Sequence, residues 1–135
     1  MRRAIWVSIL FLICGLYDGV LGLLFLVAPD WAFERYGVTP PNHFGYVQFP
    51  AALLLVFAWL YLTVAFNPQR NRNLIPYGIG LKVAYFGVVF FHWVQADIPD
   101  LWKSFAVIDA VMAVLFVWAY MWLGRKGANT PVSSQ

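Results

Sequence analysis

Charged residues are scarce in this chain. Asp, Glu, Lys and Arg make up 11% of its 135 residues, against the roughly 25% usual in a soluble domain. Hydrophobic residues reach 62%, aromatics 19%, and the mean hydropathy is +0.71. The whole chain, not one segment, is composed for lipid, which excludes a water-soluble globule. Cysteine is nearly absent. Cys14 alone can form neither an intramolecular disulfide nor a CxxC redox pair, and Ile13 stands where a lipoprotein signal needs a small residue, so lipidation is not expected. Histidine is equally sparse. His43 and His92 are the only two, and no His-x3-His, HExxH or CxxC spacing offers a zinc site. One histidine from each of two helices is the minimum for axial haem ligation, but nothing in the spacing supports it, so no metal or cofactor is expected. The chain also lacks a Gly-rich phosphate loop and a G-x-S-x-G turn, and Ser8 and Ser104 have no base nearby in sequence.

The net charge of +3 does not point to nucleic acid. Six of the nine basic residues lie in three short clusters, Arg2/Arg3, Arg70/Arg72 and Arg125/Lys126, a pattern that belongs to membrane topology rather than to a basic binding face. What the chain has in abundance is long apolar runs. A spanning helix takes roughly 20 apolar residues, and four candidates stand out at about 4–28, 43–66, 74–95 and 101–123. The first follows "MRR" and runs too long for a signal-peptide core of roughly 7–15 residues, so it is expected to remain as an anchor. The segment "PDWAFERYGVTPPNHFG" is too polar to span, but its Trp31, Phe33 and Tyr36 suit a short interfacial helix. "NPQRNRN" and "QADIPD" are tight connectors that make neighbouring spans antiparallel. The basic clusters place both termini and the middle loop in the cytoplasm, which closes only with an even number of spans, and Asp30, Glu34, Asp97 and Asp100 all fall in the outer loops. The expected architecture is therefore an all-α membrane protein. It forms one domain over residues 1–124, an antiparallel bundle of four transmembrane helices, with a disordered cytoplasmic tail over 125–135.

Deep inside this apolar frame, away from the span ends, stand three charges. Asp18 lies in "GLYDGVLG" (15–22) and Asp109 in "AVIDAVMA" (106–113), and both octets carry small residues at positions 1, 5 and 8 with an Asp at position 4. Positions 1, 4, 5 and 8 share one helical face, and small residues at that spacing let membrane helices approach closely. At 1.5 Å per residue the two carboxylates sit roughly 15 and 12 Å from the outer membrane face, and Lys82 in the third span roughly 20 Å from it. Lys82, Tyr85 and His92 share a face, which predicts a polar seam toward the outer surface. A Lys–Asp pair is expected there, with the second Asp left without a cation and holding its proton. His43, Gln48 and His92 are expected at an outer mouth, where Pro50 widens the bundle. Three readings of the buried charges stand side by side: fixing helix register, serving a ligand or a proton, and Lys82 snorkelling toward the cytoplasm with no partner.

The first span ending "LLFLVAP", the Tyr36-Gly37 segment, the proline restart and "FAVIDAVMAVLF" in the last span resemble the DoxX-like group of small four-helix membrane proteins. The resemblance covers roughly residues 5–123. It implies a lipid- or quinone-facing role, or an accessory subunit of a membrane complex such as the thiosulfate:quinone oxidoreductase of the namesake, and it transfers no redox residue. A more distant likeness is to the EXPERA group, which binds sterols and related lipids with intramembrane acids. The leading expectation is a non-enzymatic protein of the bacterial inner membrane that binds a hydrophobic ligand (lipid or quinone) near Asp18, Lys82, Tyr85 and Asp109, or joins a complex or homo-oligomer. The alternatives are a membrane enzyme or redox-enzyme subunit using an intramembrane Asp as general acid, and proton or solute transport as an oligomer.

Overall fold

The computed structural model describes residues 4–129, and all its regular structure is helical. Helix α1 spans Ile5–Val27, α2 Pro29–Arg35, α3 Gly45–Phe66, α4 Ile75–Gln95 and α5 Asp100–Ala128, with a 3-10 turn at Arg72–Leu74 leading into α4. Four of these helices are long and apolar enough to cross a bilayer. Lipid offers the backbone no hydrogen-bond partners, so each crossing segment must satisfy its own N–H and C=O groups as a continuous helix. The protein is an integral membrane protein with an all-α, four-span architecture. The Arg2/Arg3 cluster and the tail beyond residue 129 lie outside the described residues.

The closest helix pair is α1 with α3. Gly15 lies opposite Ala58 and Gly22 opposite Ala51, one register repeated seven residues on. A Cβ on Gly15 would stand 3.3 Å from the Ala58 carbonyl oxygen, and one on Gly22 only 2.8 Å from that of Ala51. The small stripe of "GLYDGVLG" thus serves backbone approach to α3. The α1–α3 pair meets α4–α5 through larger side chains. Phe11 and Phe116 stack with centroids 4.4 Å apart, and Tyr61 leans on Phe116 at 5.2 Å. This aromatic layer anchors an inner core that includes Val7, Cys14 and Leu123. A second cluster, Phe25, Ala32, Phe33 and Ala51, closes the outer end.

Helix α2 is the short helix expected in the first outer loop. It ends in a Schellman motif: Gly37 takes φ +65, its N–H donates to the Glu34 carbonyl, and Val38 N–H donates to Phe33. Trp31 and Tyr36 are exposed, as an interfacial helix requires, whereas Phe33 turns inward and is buried in the outer core.

The last helix runs further than expected. It continues through Gly124 and Gly127 to Ala128 instead of giving way to an irregular tail at 125. The reason lies in the loop between α3 and α4. Arg72 donates to the Tyr120 carbonyl at 2.8 Å and stacks over its ring at 3.8 Å, and Gln69 donates to Leu123 at 3.5 Å. Both side chains occupy the space a Cβ on Gly124 or Gly127 would take. Arg72 therefore packs the loop against α5.

Candidate functional site: a buried ion triad beneath an outer cavity

Asp18 on α1, Lys82 on α4 and Asp109 on α5 converge between the two apolar clusters. Counting nine residues from Asp18 to the end of α1 and nine from the start of α5 to Asp109 puts both carboxylates at about the same depth, ~13 Å from the outer helix ends. Lys82 starts deeper and its four-carbon stem brings the ammonium up to them. The Nζ donates to Asp18 Oδ1 at 2.8 Å, to Asp18 Oδ2 at 3.0 Å and to Asp109 Oδ1 at 3.0 Å. An ammonium has three protons, and each finds a carboxylate oxygen. The rings of Tyr17 and Tyr61 flank the Nζ at 5.7 and 5.5 Å. The sequence suggested that Lys82 would serve one Asp and leave the other without a cation. It serves both, because carboxylates on α1 and α5 flank the same side of α4.

The two carboxylates are not equivalent. Asp18 uses both oxygens on Lys82, and its side chain is 1% exposed; Asp109 uses one, and its side chain is 11% exposed. What it is exposed to is a cavity of about 330 Å³. Asp18 and Asp109 lie at its polar end, and Tyr17, Phe25, Trp102 and Phe105 supply aromatic walls. The Tyr17 hydroxyl is buried without a hydrogen-bond partner, an arrangement that costs free energy unless something occupies it. Tyr46 and Leu53 of α3, both exposed, form part of the rim. Leu53 lies eight residues into α3, about 12 Å along the helix, so the cavity opens through the side of the bundle toward lipid rather than only toward water.

Tyr85 borders this cavity, and its hydroxyl donates to the Trp102 carbonyl at 3.5 Å instead of joining the triad. The polar seam stops there. His92 is exposed with its ring against Phe91, at 5.4 Å between centroids. His43 and Gln48 also stay apart from the cavity lining. His43 Nδ1 accepts from Gly45 N–H at 2.9 Å, fixing the entry to α3, and Gln48 donates to the Leu26 carbonyl at 3.2 Å, tying α3 to the end of α1. The three outer-mouth residues thus do local work at separate places. Pro50 lines the cavity wall within an α3 that continues past it. At the outer connector, Lys103 bonds Asp97 at 2.9 Å and holds that exposed carboxyl below the usual carboxylate range.

Residues that sequence reasoning passed over are Tyr17, Tyr61, Phe25, Trp102 and Phe105. Tyr17 had a visible signal, its position beside Asp18. Tyr61 had none in its own helix, since its place is set by Gly78 of α4, where an added Cβ would stand 2.6 Å from the ring. No group of three or more metal-ligating side chains occurs among the described residues. Comparison with protein-family models, with curated proteins and with solved structures gives no match for this chain.

Proposed function

We infer that this membrane protein binds a hydrophobic molecule, a lipid or a quinone, in the outer-half cavity. The observation that supports this best is the cavity itself. It is apolar and aromatic along its walls, ends on two buried carboxylates, and has a rim at the depth of the acyl chains. Such a shape takes a molecule that arrives through the bilayer with its polar end leading. A closed bundle whose charges only set register needs no void beside them. The binding reading carries with it the DoxX-like assignment, which rests on the sequence motifs, and a setting in a bacterial inner membrane with cytoplasmic termini, which rests on the placement of the basic clusters.

The test is native mass spectrometry of the protein released from its own membrane, beside a Leu81→Trp variant. Leu81 is a partly buried wall residue of α4, so an indole there fills the cavity without removing a charge. An apolar small molecule should travel with the wild type and be absent from the variant, with the unfolding transition retained. A wild-type protein that flies without such a molecule, or a variant that keeps it, would defeat the reading.

A further inference from the structure

The cavity offers a ligand one sign of charge. Asp18 and Asp109 line it, and Lys82 does not. The ammonium stands behind the carboxylates with all three protons directed at them. With both carboxyls ionised, two carboxylates against one lysine carry one formal negative charge in excess. Asp109 is where that excess meets the cavity, since Oδ1 alone is engaged by Lys82 and its side chain is the more exposed of the two. The walls around it add aromatic rings, Tyr17, Tyr85 and Trp102 among them, and aromatic rings attract a cation more strongly when water is excluded.

Building on the binding reading above, we propose that the cavity selects apolar molecules bearing a single ammonium-type cation. The cation sits against Asp109 and the apolar body runs out toward the rim at Leu53. A bound cation completes the charge balance that Lys82 leaves one short. A neutral molecule of the same shape gains the walls but not the carboxylate.

The experiment compares two probes of equal shape, the phenylbutyl-trimethylammonium ion and its uncharged isostere with carbon in place of nitrogen. Binding is measured in phosphatidylcholine nanodiscs and corrected for partition into empty ones. A fixed charge on the probe keeps its own protonation out of the comparison. The ammonium probe should bind at least about tenfold tighter to the wild type, a difference of about 1.4 kcal/mol. Asp109→Asn should shrink that preference to within about twofold, and Leu81→Trp should abolish binding of both probes. Equal wild-type affinity for the two probes overturns the cation selectivity while leaving the cavity reading intact. Absence of binding by either probe overturns the selectivity as well. A preference that survives unchanged in Asp109→Asn overturns the role of that carboxylate. The wild-type comparison stands even if a variant fails to fold.

Discussion

Lys82 is held by geometry that leaves none of its protons free, and this sets what its removal would do. Taking away the single cation from a buried set costs about 3–5 kcal/mol, because the remaining charges lose their partner and not merely a contact. Lys82→Met should therefore destabilise the protein by that order in a reversible unfolding titration in mixed micelles. Adding Asp18→Asn and Asp109→Asn to it should restore much of the loss, since no unpaired charge then remains. Of the single carboxylate variants, Asp18→Asn should cost more than Asp109→Asn, because Asp18 accepts two of the three bonds and Asp109 one. A Lys82→Met variant as stable as the wild type would mean that the triad does not hold the fold. Both carboxylates and the lysine were visible in the sequence as the charges deep within the spans, away from the span ends. That one ammonium reaches both was not, because it depends on the rotation of three helices about their axes.

Glycine separates helix faces that touch a neighbour from those that do not. Gly22 and Gly78 lie where a Cβ would come within 2.8 Å of the Ala51 carbonyl and 2.6 Å of the Tyr61 ring, whereas Gly80 and Gly87 have nothing within 4 Å. Overpacking a tight contact costs about 1–3 kcal/mol, and Ala at an open helical position is about 1 kcal/mol better than Gly or neutral. Gly22→Ala and Gly78→Ala should lower the unfolding midpoint in the same titration, while Gly80→Ala and Gly87→Ala should leave it unchanged or raise it. Within the third span itself nothing distinguishes Gly78 from Gly80 and Gly87. Only the position of Tyr61 on α3 decides which face is used. The same dependence explains α5, whose last turns persist because Arg72 and Gln69 reach across from the inner loop.

At the scale of the whole molecule, two helix pairs close on each other through an aromatic layer inside and a ring-lined cavity outside. Stability in lipid draws on packing rather than on transfer from water, since a separated helix stays in hydrocarbon. Phe116→Ala removes the ring that stacks on Phe11 and touches Tyr61. It should cost about 1–3 kcal/mol, less than the ~3–5 kcal/mol of a buried Phe in a soluble core, measured against the wild type in the same micelles. A cost at the soluble value would show that water enters when the pairs part. The void between the pairs follows from side-chain size. Phe11, Tyr61 and Phe116 fill the space between the pairs at one level, while Asp18 and Asp109 leave a void at the next.

The sequence alone determined the membrane setting, the number of spans, the antiparallel order and the short interfacial helix. These follow from hydrophobic length, charge scarcity and the helix-stopping prolines Pro40 and Pro41, all of which act locally along the chain. It also located Asp18, Lys82 and Asp109, because a charge among apolar residues is conspicuous wherever it stands. Tertiary structure decided that His43, Gln48 and His92 serve separate local roles, that Lys82 bridges two carboxylates, and that a cavity opens beside the one with an oxygen to spare. Those outcomes depend on helix rotation and on the volume of side chains from all four spans. Neither is encoded in any single span, so neither could be read before the helices were placed together.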